Sequence, residues 1–323
     1  MAIKVLVCGA TGFIGRNMVE QLSSRSNFQI IAVRNTRPEY KVENAIHPIK
    51  WIQADLRNPD DVARVLADVD IVIQAAATTS GAKDIISRPF IHVTDNAVMN
   101  SYLLREAFEK KIKHFIFFSC TVMYPSSEYP LKEEDWNGAT EIHPRYFGVA
   151  NTKIYIEKML EFFSRISEMK TTAIRHSNIY GPHDKFDLDR SHVFGATITK
   201  AMTAKDKIIV WGTGEEERDL LHIDDLVSFV ISVINNQKEK YRLYNCGLGE
   251  KISIKNLVHK IVSASKKKLE VIHDTSQPTI KTSLFLDITR ANNELGWKPM
   301  VTIDEGISRT VDWWNKNILP LIK

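Results

Sequence analysis

Residues 3–22 read IKVLVCGATGFIGRNMVEQL. The run IKVLVC at 3–8 is short, apolar and rich in β-branched residues, the pattern of a strand buried on both faces of a parallel sheet. The turn Gly9-Ala10-Thr11-Gly12-Phe13-Ile14-Gly15 follows, and then Ile14, Met18, Val19 and Leu22 recur at helical spacing. Glycines placed between a strand and a helix in this way each have a task. Gly9 permits the tight turn, Gly12 lets the backbone approach a diphosphate, and Gly15 lets helix and strand pack closely. The helix N-terminus offers free N–H groups and the positive end of its dipole to that anion. Thr11, Phe13 and Ile14 complete the predicted dinucleotide loop.

The pattern repeats outward from this unit. FQIIAV (28–33), KWIQA (50–54), DIVIQAAA (70–77), KHFIFFS (113–119) and TTAIRHS (171–177) read as further strands, with helices near 60–67 and 95–110. Strands alternating with helices predict βαβ units: an α/β, Rossmann-type doubly wound parallel sheet with helices on both faces. After about residue 178 glycine, proline and charge become denser and helices dominate. A strand and loop over 207–226 lead to a helix beginning near Asp224. The division expected is a dinucleotide-binding domain over 1–177, with a returning segment at about 220–247, and a smaller, mostly helical lobe from 178–219 and 248–323.

The end of the second strand selects the nucleotide. NAD binders place a carboxylate there for the ribose 2′-hydroxyl. Here the chain reads Val33-Arg34-Asn35-Thr36-Arg37. Arg34 and Arg37 suit a 2′-phosphate, with Arg16 in support, so NADP(H) is favoured over NAD(H). Asp55 and Leu56 are placed to meet the adenine. Ala75, Ala76 and Ala77 give small side chains where the backbone passes the cofactor.

Composition bounds the alternatives. At 44% apolar and 25% charged, the 323-residue chain is an ordinary globular protein rather than a disordered one. Its net charge of +4 is scattered, and the longest basic run, Lys266-Lys267-Lys268, reads as a solvated helix end rather than a nucleic-acid patch. Cys8, Cys120 and Cys246 are widely spaced and odd in number, which favours neither a disulfide scaffold nor a metal site and fits a reducing, cytoplasmic setting. No signal peptide and no apolar run of membrane-spanning length is read.

Four further stretches, MYP (123–125), NIYGPHDKFDLDRSHV (178–193), IIVWGTGEEERDLLHIDDL (208–226) and FLDITRANNELGWKP (285–299), carry a resemblance that spans essentially the whole chain. It resembles the extended short-chain dehydrogenase/reductases, the NAD(P)-dependent sugar-nucleotide epimerases, dehydratases and reductases, and among them the GDP-L-fucose synthases. The resemblance implies a nucleotide-sugar substrate held by the second lobe, and a homodimer formed through paired helices of the first. It also implies a Ser/Thr, Tyr and Lys acting together. The tyrosine exchanges a proton with the sugar, the lysine one helical turn on lowers its pKa and holds the nicotinamide ribose, and the hydroxyl residue orients the carbonyl.

The carry-over onto RYFGVANTKIYIEKM (145–159) is partial. Lys153 matches the lysine, with Glu157 and Lys158 in support, but the tyrosine position is Val149. Tyr146, seven residues before Lys153, would share a face with it on a continuous helix and is the candidate replacement. A register matching FGVAN (147–151) would instead put Phe147 and Asn151 at the two positions. The serine position is Cys120, with Thr121 beside it, and the cysteine the fucose synthases use in epimerisation falls on Val122, unless a one-residue shift brings Cys120 there. His192 matches their partner histidine. Asn178, Lys200, Trp211 and Arg218 fall on substrate positions, Arg218 toward the nucleotide phosphates. His176, His183 and His222 read as structural. The expected activity is NADP(H)-dependent reduction of a 4-keto-6-deoxy sugar nucleotide. Epimerisation or dehydration with recycled cofactor, and a non-catalytic NADP(H) sensor, are the alternatives.

Overall fold

The computed structural model describes residues 2–78, 88, 90–188, 191–276 and 282–322. Strands β1 (Ile3–Cys8), β2 (Phe28–Arg34), β3 (Lys50–Gln53), β4 (Ile71–Gln74), β5 (His114–Phe118), β6 (Lys170–His176) and β7 (Tyr241–Cys246) form a seven-stranded sheet. Its order is β7-β6-β5-β4-β1-β2-β3, and every pair is parallel. The chain runs outward from β1 to β3 and then returns to the other side of β1. The reversal between β1 and β4 opens a crevice at their C-terminal ends, the place where ligands bind such sheets.

Alternation along the strands builds two cores. Val5, Val7, Ile30, Ala32, Ile71 and Ile73 face one side, with Met18, Val19 and Leu22 of helix α1 (Phe13–Ser23). Leu6, Cys8, Ile31, Val33, Val72, Phe115 and Phe117 face the other. That side is covered by α2 (Pro59–Val65), α3 (Phe90–Glu109) and α4 (Phe147–Ile166). A third core joins α5 (Val193–Thr203), α7 (Ile254–Ala264) and α8 (Ile303–Asn317) around the fully buried Trp314, while α6 (Ile223–Asn236) returns to the first core. Short strands at Lys207–Trp211 and Glu270–Asp274 pair in parallel against this third core.

Two local expectations are corrected. The strand predicted over 70–77 stops at Gln74. The Ala76 N–H donates to the Gln74 side-chain oxygen (3.1 Å), whose own amide donates to Asn100 (3.1 Å), so the strand's side chain takes the chain out of the ladder. The helix predicted to run continuously through Tyr146 begins only at Phe147. Pro144–Tyr146 is a separate 3-10 turn, closed by the Tyr146 N–H on the His143 carbonyl (2.8 Å). The seven-residue spacing therefore does not set Tyr146 above Lys153 on one helical face.

Candidate active site

The glycine loop leaves room for little except a cofactor. Gly9 sits at φ +71°, and a Cβ there would lie 2.7 Å from the Ala76 Cα. A Cβ on Gly15 would lie 2.1 Å from the Gly9 carbonyl oxygen. Loop, α1 and the Ala75-Ala76 segment are thus in backbone contact. No side chain caps α1 and no acid lies in its first turn, so its N–H groups and dipole are left to an anion. Phe13 and Ile14 pack partly against the first core, and the Thr11 carbonyl accepts from Arg37 (3.2 Å). Arg34 carries a buried Nε with no hydrogen-bond partner among the described residues. These features fit a dinucleotide with a further anionic group beside Arg34 and Arg37.

Other expected cofactor contacts are already engaged. Arg16 pairs with Glu20 (2.8 Å) and lies over the ring of Tyr40, whose hydroxyl donates to the Ala10 carbonyl (3.1 Å). The Asp55 carboxylate accepts both Nε and Nη2 of Arg57 (2.9 and 2.7 Å), and this pairing holds its carboxyl below the usual range. Leu56 is 6% exposed and belongs to the second core. Tyr40 and Arg57 had no signal in the sequence, because Tyr40 reaches the glycine turn from far along the chain and Arg57 acts on Asp55 through local geometry.

At the ends of β5 and β6 the charged groups converge. The Lys153 ammonium donates to the Phe118 carbonyl (2.7 Å) and lies 4.5 Å from the centre of the Phe117 ring. Burial lowers its pKa, while Cys120 and Glu157 act in the opposite direction. The Cys120 thiol is pushed up by burial, with the Lys153 charge opposing. Thr121 follows, its carbonyl closing a turn with the Tyr124 N–H (3.0 Å). Behind Lys153 lies a buried network. Glu157 accepts a fork from Arg175 (3.0 and 2.7 Å) and a hydroxyl from Ser119 (2.5 Å). Arg175 also donates to the Tyr124 hydroxyl (3.1 Å), which donates to Asn245 on β7 (2.8 Å). These contacts place Lys153, rather than Asn151, at the strand ends. Asn151 is exposed and bonds back to Phe147 on its own helix (2.8 Å), and Phe147 is 64% exposed.

The remaining candidate residues have partners of their own. Tyr146 has Arg218 as its charged neighbour and the His143 ring at 5.8 Å. Arg218, its pKa lowered by burial, donates to the carbonyls of Glu217 and Thr282 (both 2.8 Å). His192 is exposed at the N-cap of α5 and acts electrostatically on His176, which also feels Lys153. Its own pKa is lowered by desolvation and by Lys185. Lys200 donates to the Ile209 carbonyl (3.0 Å) and lies 6.0 Å from the ring centre of Trp211, which is 55% exposed. Asn178 is exposed and donates to the Asp219 carbonyl (3.2 Å).

A doubly wound sheet with a glycine-rich first turn, an uncapped helix and a lysine at the β5 end defines a dinucleotide-dependent enzyme of the Rossmann class. Residues 5–247 match the model of the NAD dependent epimerase/dehydratase family. The chain belongs to that family, whose members are NAD(P)-dependent enzymes of sugar nucleotides. A GDP-L-fucose synthase from Azorhizobium caulinodans is 27% identical over 322 residues, covering 96% of each chain. A dTDP-4-dehydro-6-deoxy-D-allose reductase from Streptomyces sp is 26% identical, covering 96% of this chain and 95% of its own. The UDP-glucose 4-epimerase of Thermotoga maritima shares the fold with a TM-score of 0.85 at 24% identity, covering 98% and 100% of the two chains. Among the described residues no helix is long and apolar enough to cross a membrane.

Proposed function

We propose that the protein is a cytoplasmic, NADP(H)-dependent reductase of a nucleotide-activated 4-keto-6-deoxy sugar. The carrying observation is the end of β2, where Arg34 and Arg37 stand in place of a carboxylate and the Arg34 Nε is buried without a partner. Two guanidinium groups suit a 2′-phosphate. Reduction is favoured over double epimerisation because Val122 occupies the position of the epimerising cysteine in the family resemblance. The similarity to a relative named as a 4-dehydro-6-deoxy sugar reductase supports the same reading.

When bound, the cofactor supplies hydride to the keto carbon. The chain supplies the rest. Lys153 holds the nicotinamide ribose and adds positive charge near the developing oxyanion. The Thr121 hydroxyl orients the carbonyl, with Cys120 flanking it. Arg218 and Tyr146 meet the substrate diphosphate and His192 faces the sugar, while Asn178, Lys200 and Trp211 complete the nucleotide side. In this reading 1–177 with 220–247 is the cofactor domain, and 178–219 with 248–323 is the substrate lobe.

The test is NADPH oxidation across GDP-, dTDP-, UDP- and CDP-linked 4-keto-6-deoxyhexoses. Stoichiometric consumption is expected with one nucleotide series. Turnover without net consumption would make the protein an epimerase or dehydratase. Tight NADPH binding without turnover of any sugar would make it a sensor.

A further inference from the structure

We propose that His176 exchanges the proton with the reacting sugar oxygen, the task for which position 149 supplies only a valine. This rests on the sugar-nucleotide reading of the crevice. Strand β6 ends at His176, in the row of strand C-termini where the crevice opens. The neighbouring strand β5 ends at Phe118, and the Phe118 and His176 rings lie 6.1 Å apart. The Phe118 carbonyl is the acceptor of the Lys153 ammonium (2.7 Å). Anchor lysine and imidazole therefore meet the same strand end, Lys153 at the Phe118 carbonyl and His176 at the Phe118 ring.

The ring's orientation fixes its chemistry. Nδ1 lies 2.7 Å from the Ser177 carbonyl oxygen. That oxygen can only accept, so Nδ1 carries the hydrogen and Nε2 keeps its lone pair in the neutral ring. No hydrogen bond among the described residues engages Nε2, and the residue is only partly buried. Lys153 faces it from α4 and His192 from the N-cap of α5. Its register partner on β7 is Cys246, a buried thiol. Beyond Asn178 lies Asp219, buried, with its carboxylate bound by the N–H groups of Leu248, Gly249 and Leu286. Burial, opposed by the Ser177 carbonyl and helped by the charges of Lys153 and of His192 when protonated, pushes the free histidine's pKa down to about 4. The diphosphates of cofactor and substrate act in the opposite direction on binding.

In the reductive direction, hydride from reduced nicotinamide forms the new C–H bond as the carbonyl π pair moves onto oxygen. That oxygen takes the proton from the imidazolium Nε2–H, and the neutral ring is recharged from water. In the oxidative direction the Nε2 lone pair removes the hydroxyl proton as hydride departs. Nε2 thus does what a phenol one turn before Lys153 would do.

The test compares wild type, His176→Gln and Tyr146→Phe on a GDP- or dTDP-4-keto-6-deoxyhexose with NADPH. His176→Gln is expected to lower kcat by roughly 100-fold or more, to remove the wild-type fall of kcat with rising pH, and to leave NADPH affinity within about threefold. Tyr146→Phe keeps the pH limb. In the free wild type, the imidazole resonance lost in His176→Gln should titrate near 4 by NMR and move upward when GDP-mannose and NADPH are added. A His176→Gln enzyme matching wild type, or a resonance unmoved by nucleotide, overturns the proposal. If wild type itself consumes no NADPH with any sugar, the reductase reading falls; a wild type that consumes NADPH beside an unimpaired His176→Gln enzyme overturns the histidine role alone, so the two failures are distinguishable.

Discussion

Lys153 shows what one side chain contributes once its surroundings are known. Its ammonium is held at the Phe118 carbonyl, with Cys120 and Glu157 as its electrostatic neighbours. Lys153→Ala is expected to cut turnover by roughly 100-fold or more while leaving the circular-dichroism melt within a few degrees, since no buried partner charge is exposed. Asp184 is a different case. Its Oδ2 is buried without a partner, while Oδ1 accepts the Lys185 N–H (2.7 Å), and burial pushes its pKa to about 7. A raised carboxyl pKa means the folded state holds the proton more tightly than the unfolded chain does. Stability from this group is therefore full below about 4 and is lost as pH rises through about 7, by up to roughly 4 kcal/mol. Asp184→Asn is expected to raise Tm at pH 8 and to flatten Tm between pH 4 and 8. An unchanged pH dependence would contradict the assignment. At this scale Lys153 was legible through the helix that carries it. His176 was read as structural because its neighbours Lys153 and His192 come from other parts of the chain.

The strand–turn–helix unit sets the tolerance of the element. A methyl group on Gly15 would lie 2.1 Å from a backbone oxygen that cannot give way. Gly15→Ala is expected to displace α1, to abolish NADPH binding measured by fluorescence, and to lower stability by about 1–3 kcal/mol. The glycine pattern was legible because strand, turn and helix are contiguous in sequence. The 3-10 turn at Pro144–Tyr146 was not, since proline at a first turn is equally compatible with a continuous helix. Helices α3 and α4 also present Val98, Tyr102, Tyr155, Phe162 and Ile166 to solvent, at 37–55% exposure. The family resemblance implies a homodimer through paired helices of this domain, and these outer faces are where its expectation is checked. The variant Tyr102→Glu with Phe162→Glu is expected to sediment as a monomer where wild type sediments as a dimer.

The whole molecule is tied together behind the site. Arg175 on β6 joins Glu157 on α4, Tyr124 after β5, the Glu133 carbonyl and, through Tyr124, Asn245 on β7. Arg175→Met is expected to destabilise by about 3–5 kcal/mol in a denaturant titration, because it leaves the Glu157 carboxylate buried and unpaired. A loss under about 1 kcal/mol would show that water reaches the pair. The sequence by itself determined the parallel sheet and the glycine turn between its first strand and helix. These depend on periodicity and on residues adjacent in the chain, which the backbone alone brings into place. Only the tertiary structure decided that Asp55 is held by Arg57, that Tyr146 leaves the helix toward Arg218, and that His176 stands beside Lys153 and His192. Desolvation and Coulomb energy depend on distance through space, and those distances exist only after strands far apart in sequence have been laid side by side.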